Sequence, residues 1–205
     1  MPLDLLMALA GYVTAMSVTP GPNNLMLLTS GVNFGFRRTI PHMAGIALGV
    51  LTILALVGLG LGQLLVSNPR LYTTLKITSL IYLAWLAWKI ATSGPPLAGE
   101  TNAKAQPLTA LEAALFQWVN PKAWTMVVTA ATAFTVPDNY LPSLLAMGCV
   151  FTAVNLPSAA VWITAGTLVR GILEEPGRLR AFNVTMAILL LASSLPIVWD
   201  LVKSG

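Results

Sequence analysis

Six apolar stretches, each about as long as a bilayer is thick, leave this chain few ways to fold. Hydrocarbon offers a backbone no hydrogen bonds, so a span must be a helix or a strand of a closed barrel. Runs of about 20 mainly apolar residues are the helical solution. They fall at 5–32, 43–66, 71–91, 108–134, 141–169 and 182–202. Only 9 % of the 205 residues are charged and mean hydropathy is +0.78. A soluble domain carries about 25 % charged residues, so this chain has too few to cover a water-facing surface. The expected fold class is an all-α membrane protein with six transmembrane helices, partnered by the lipid bilayer.

The formal charge of +4 does not indicate nucleic acid. The basic residues sit in short joining segments rather than in a stripe with interleaved aromatics, which is the pattern of topology control. Arg37 and Arg38, Lys89 and Lys104, and Arg170, Arg178 and Arg180 lie at or beyond the ends of the odd-numbered segments. Arg70, Lys76 and Lys203 lie on the other side. Positive residues favour the cytoplasm, so both termini are expected outside it. Trp85, Trp88 and Trp199 fall at segment ends, where indoles favour the interface. The start, Met1-Pro2-Leu3-Asp4, lacks a basic leader, so the first segment is read as a retained span.

The single cysteine, Cys149, excludes a disulfide framework and a CxxC pair, and reads as a small packing residue. With one histidine as well, no metal cluster and no cofactor are expected. A thiol oxidoreductase would need a second cysteine, and a metal exporter more ligands. An intramembrane hydrolase would need a nucleophile beside a base, and His42 is expected at the cytoplasmic interface, solvated.

Two segments are interrupted at corresponding places, by Thr19-Pro20-Gly21-Pro22-Asn23 and by Asn120-Pro121-Lys122. Pro20 and Pro121 are as far apart as Pro41 and Pro142, which are read as opening the second and fifth segments. This suggests a duplication: residues 1–92 form one three-helix repeat and 108–205 the other, joined by a Pro-, Gly- and Ala-rich linker at 93–107. Three spans per half invert the second repeat relative to the first. Paired breaks in such repeats mark a transporter's central site.

Proline lacks an N–H and clashes with the carbonyl four residues back. Pro20 should free the carbonyl of Met16, Pro22 that of Val18, and Pro121 that of Gln117. Gly21 is expected to supply backbone angles that other residues resist. A helix restarting at Pro22 would turn the amides of Asn23, Asn24 and Leu25 into the break, a mouth for an anion. Lys122 is costly to bury, by about 2.5–3.5 kcal/mol on insertion scales. Every acid of the chain lies in a loop or toward a segment end, so the expected partner is an external carboxylate. A zwitterionic amino acid fits, its carboxylate meeting Lys122 and the half-helix amides, its ammonium meeting freed carbonyls and the side-chain amide oxygens of Asn23 or Asn24. Gln117 is expected to line the cavity or to bond backbone, and Asn155 with Pro157 to break the fifth segment or kink it. Gly45 and Gly49 have the spacing of close helix packing. Glu112 is expected at the surface, with a proton relay as its alternative role.

The Thr19–Asn23 string, the loop Gly35-Phe36-Arg37, Gly45 and Gly49, Tyr82-Leu83-Ala84-Trp85 and Asn120-Pro121-Lys122-Ala123 together resemble the LysE/RhtB family of bacterial amino-acid exporters. Residues 85–93 and 116–120 are similar to its cysteine/O-acetylserine branch. The resemblance implies six helices, a bacterial inner-membrane location and export by antiport with protons. Lys122, His42 and Glu112 are the candidates for carrying the proton. Direction, coupling ion and side-chain preference do not follow from the residues themselves, and a passive channel is the competing reading. A homo-oligomer is compatible with the chain.

Overall fold

The computed structural model describes residues 1–60, 67–93 and 106–204. Among these every regular element is helical. Helix α1 spans Leu3–Val18 and α2 Pro22–Phe34, bent by 56° from one another. Thr19 leaves helical angles (φ −62°, ψ 138°), as a residue before proline must, and Pro22 starts α2 from its first turn. Gly35, at φ 79°, ends α2 in the left-handed region that only glycine adopts cheaply, and α3 (Phe36–Gly58) follows at once. Asn68 caps α4 (Pro69–Ala91) by accepting from the Leu71 amide. Thr109 and Glu112 form a reciprocal capping box at the start of α5 (Ala110–Val119). Asn120 separates α5 from α6 (Pro121–Phe134). The 30-residue α7 (Tyr140–Val169), α8 (Pro176–Ala192) and α9 (Leu195–Ser204) complete the chain.

Three described stretches are long and apolar enough to cross a membrane: α3, residues 137–173 around α7, and residues 176–203 across α8 and α9. The bent α1–α2 pair makes a fourth. The remaining two expected spans are less plain. Helix α4 is 23 residues long, but Arg70, Lys76, Lys89 and a run of hydroxyls dilute its apolarity. The fourth expected segment is divided at Asn120 into helices of 10 and 14 residues. The linker at 94–105, with Glu100 and Lys104, lies outside the described residues, as does the end of the second segment.

Several local expectations are corrected. Pro41 lies inside α3 instead of opening it. Asn155 and Pro157 do not interrupt α7, which is continuous through both. The sixth segment, by contrast, is broken at Ser193 and Ser194. Cys149 is exposed on α7 rather than enclosed as a packing residue. His42 is buried, 1 % exposed, rather than solvated.

Lipid is as apolar as leucine, so close packing and polar contacts hold such helices together rather than hydrophobic burial. Helix α3 is the hub, against α5, α6 and α7. A Cβ on Gly45 would lie 2.2 Å from the Ala110 carbonyl oxygen, and one on Gly49 2.6 Å from Gln117 Cγ. Glycine is therefore required at both positions for α3 and α5 to approach. Helix α2 lies on α7 and α4 on α8. Leu9, Val13, Ile46, Ile53, Phe151 and Ile163 form the larger core, and Met26, Leu86, Phe116 and Leu190 a smaller one. Outward side chains such as Leu48, Ile81, Val161 and Ile188 are exposed and apolar, the surface expected of lipid-facing helices.

Candidate functional site

The first break leaves the end of α1 without helical partners, and side chains replace them. The Thr19 hydroxyl donates to the Met16 carbonyl at 3.1 Å. Asn24 Nδ2 donates to both Ser17 O (2.8 Å) and Thr19 O (2.9 Å), folding the start of α2 back on the end of α1. Ser158 Oγ, from α7, also reaches Ser17 O at 3.0 Å. With both of its Nδ2 hydrogens engaged, the Asn24 side chain retains only acceptor capacity. The Leu25 amide is bonded to Gly21 O, so the expected mouth of unpaired amides narrows to Asn23 and Asn24. Gly21 is extended (φ −173°), a conformation open to any residue. Its lack of a side chain matters for another reason: a Cβ there would stand 2.9 Å from Lys122 Cδ.

The second break is tighter. Asn120 accepts the Lys122 amide on its side chain at 3.1 Å, and its own N–H bonds the Gln117 carbonyl at 3.2 Å. That carbonyl is therefore occupied rather than free. The Gln117 side chain is fully buried and forms a reciprocal amide pair with Asn23 (2.8 and 2.9 Å), with a further bond to Ala113 O. The pair ties the start of α2 to the end of α5. Trp124 Nε1 bridges the break to Trp118 O at 2.7 Å, the two rings edge to face.

Lys122 joins the two breaks. Its ammonium donates to Thr19 O (2.7 Å), Thr19 Oγ1 (3.0 Å) and, weakly, Pro20 O (3.4 Å). The sequence points to no acid partner for this lysine in its own chain; its partners among the described residues are neutral oxygens of the first break. As the second residue of α6, Lys122 sits at the positive end of its own helix dipole, and it is offset by the negative end of α1. No carboxylate neutralises it, because the ion pairs among the described residues are Lys76–Asp200, Lys89–Glu112 and Arg178–Glu175. Glu112 is held by Lys89 and its capping box and is half-buried, not freely solvated.

Between the breaks lies a cavity of about 40 Å³, lined by polar Ser17, Asn23, Asn24, Asn120, Lys122 and Asn155. At 10–15 Å³ per water it holds roughly three, less than an amino acid needs. Asn155 Oδ1 accepts from Ser17 Oγ at 2.9 Å, while its Nδ2 is buried without a partner. A buried polar group left unpaired costs about 1–3 kcal/mol, so this donor, on a residue that lines the cavity, asks for an acceptor. The site therefore combines a cation and amide donors with backbone and amide acceptors, a pairing suited to a small zwitterion.

Of the residues expected at the site, Gly21, Asn23, Asn24, Asn120, Lys122 and Asn155 line the cavity. Thr19 and Pro20 stand behind Lys122 as its acceptors. Gln117 supports Asn23, Pro22 is buried at the start of α2, and Pro121 borders a separate cavity of about 580 Å³ with Tyr72, Trp118 and Trp124. Sequence reasoning missed Ser17, Ser158, Ile46 and Val50. The adjacency of Ser158 to Pro157 and the helical spacing of Ile46 and Val50 beside Gly45 and Gly49 were the available signals.

A helical membrane protein with a polar cavity at two apposed helix breaks belongs among the solute carriers of the bilayer. The chain matches the LysE type translocator family over residues 14–198 and is a member of it. It is 31 % identical to the cysteine/O-acetylserine efflux protein of Escherichia coli K12 over 91 % of this chain and 93 % of that one. It is 32 % identical to the protein of the same description from Salmonella typhimurium LT2, with the same coverage. No solved structure matches the chain.

Proposed function

We propose that this protein is a secondary transporter that exports a small amino acid or amino-acid derivative across the bacterial inner membrane, with cysteine and O-acetylserine the first substrates to test. The reading rests on one observation: the ammonium of Lys122, on the second break, is hydrogen-bonded to the carbonyl oxygens of the first. In it, α1–α2, α3 and α4 make one three-helix repeat, and α5–α6, α7 and α8–α9 its inverted partner, with residues 93–107 as linker and both termini periplasmic.

The substrate carboxylate takes Lys122 and the free amide of Asn155. Its ammonium takes the acceptors that Lys122 vacates on Thr19 and Pro20, with the oxygen of Asn24. Exchange of these partners loosens the bridge between the breaks, so that one repeat rocks against the other. The small cavity corresponds to a closed state that must open to load. Export is coupled to proton entry.

The test is counterflow in proteoliposomes, with labelled O-acetyl-L-serine and L-cysteine in a panel of amino acids. A carrier accelerates entry of label when unlabelled substrate is preloaded, and Lys122→Met abolishes that acceleration. Absence of acceleration with every amino acid of the panel refutes the carrier. Wild-type exchange by Lys122→Met refutes the site.

A further inference from the structure

A second cavity, of about 30 Å³, lies between α2, α3, α4 and the residues leading into α5. His42 lines it, with Thr29, Ser30, Lys89 and Leu108. Both ring nitrogens of this buried histidine lack any hydrogen-bond partner. An imidazole always has one donor and one acceptor to satisfy, or two donors when charged. The hydroxyls nearby do not serve it, since Ser30 and Thr39 bond each other at 2.8 Å and Thr39 bonds Gly35 O. An ionisable side chain within a membrane span is functional by default, and here two unpaired nitrogens face a space that holds roughly two waters at 10–15 Å³ each.

The position of His42 on α3 connects this cavity to the first. His42, Ile46 and Val50 follow one another at four-residue spacing, so they share a stripe of the helix. Ile46 and Val50 line the cavity between the breaks. Between them Gly45 and Gly49 press on α5 with no room for a methyl group. A charge appearing at His42 therefore acts on the same helix contact that shapes the substrate cavity.

We infer that His42 binds the coupling proton of this transporter, taking it from water in the second cavity. The inference rests on the transporter reading above. The neutral ring gains a proton on its unprotonated nitrogen, becomes imidazolium, and returns that proton to water on the other side after the repeats move. Loading breaks an O–H bond of hydronium in the cavity water as the ring N–H forms, and release breaks that N–H as an O–H bond of hydronium forms on the other side. From α5, Glu112 is the carboxylate within electrostatic reach; from α4, Lys89 is the cation within reach. Helix α2 contributes hydroxyls and no titratable group to the cavity. Helix α3 itself carries Arg37 and Arg38 in its first turn, the turn that follows α7 brings Arg170 near Gly35, and α6 brings Lys122 at the break. An imidazolium at His42 competes with Lys89 for Glu112 and so loosens the 2.8 Å ion pair that holds α4 to α5. Proton binding is thereby linked to the contact between the two repeats.

The experiment compares wild-type protein and His42→Gln in proteoliposomes, using O-acetyl-L-serine as the probe. One arm measures exchange of labelled for unlabelled probe at equal pH; the other measures proton movement during its efflux with a trapped pH dye. Expected is exchange within about twofold of wild type and at least a tenfold loss of probe-coupled proton movement. Proton movement per probe equal to wild type in His42→Gln overturns the inference while leaving the transporter standing. A wild-type protein that exchanges nothing overturns both. Should His42→Gln not fold, nitrogen NMR of the single imidazole in ¹⁵N-histidine wild-type protein decides. A change from neutral to cationic shifts within about pH 5–8, displaced by the probe, supports the assignment. A ring that stays neutral throughout, with and without probe, refutes it.

Discussion

Replacing Lys122 by Met keeps an apolar stem of matching length beside Gly21, with sulfur in place of Cδ, and removes the ammonium. Two bonds of hydrogen-bonding length are lost, to Thr19 O and Thr19 Oγ1; the 3.4 Å approach to Pro20 O adds little. Bonds to a charged group contribute about 1.5–3 kcal/mol each, and this ammonium is half-exposed, so the low end applies: about 3 kcal/mol for the two. Removing a cation from the wrong end of α6 returns about 0.3–1 kcal/mol. The closed arrangement should therefore weaken by about 2 kcal/mol, which raises the open fraction roughly 30-fold at 1.4 kcal/mol per decade. The assay places a cysteine at Ser158, which lines the cavity and is 9 % exposed, in a Cys149→Ala background. Its reaction with a charged, membrane-impermeant maleimide reports the open fraction. Lys122→Met should speed labelling by at least tenfold. A change of less than twofold would refute the view that Lys122 holds the breaks together.

Asn155→Leu removes one bond to Ser17 and an unpaired buried donor, so thermal stability in detergent should stay nearly unchanged while the KM for O-acetylserine exchange rises about tenfold; an unchanged KM counts against a carboxylate contact. Asn23→Leu and Gln117→Leu should each destabilise the protein, and the double variant should be less damaged than their sum, with a coupling of about 1–3 kcal/mol for two mutually satisfied amide bonds in a double-mutant unfolding cycle. Gly45→Ala places a methyl 2.2 Å from the Ala110 oxygen; the helices must part, at a cost of about 1–3 kcal/mol. Denaturation at the wild-type midpoint would show that the α3–α5 contact is looser than described.

The helix interruptions were readable from the chain because their causes are local. A proline acts on the residue before it and on the carbonyl four back, and both Thr19 and Asn120 take extended angles accordingly. The same rules left Pro157 open between a break and a kink, and the helix runs on through it, because a single missing bond does not stop a helix whose flanks are held by α2 and α3. Gly45 and Gly49 were legible as a packing stripe. His42 was not legible as buried, since its neighbours in sequence include Arg37 and Arg38, and its burial comes from α2, α4 and the approach to α5.

Hydropathy and proline chemistry, which operate within a few residues, settled that the chain is helical, membrane-embedded and interrupted near residues 20 and 121. Which groups then meet was decided by how the helices cross. Lys122 finds its acceptors 103 and 102 positions away, Asn23 its amide partner 94 away, and Ser17 its partner Asn155 138 away. No rule of spacing reaches that far, so the bridge between the breaks, and the polar lining it closes over, exist only in the packed molecule.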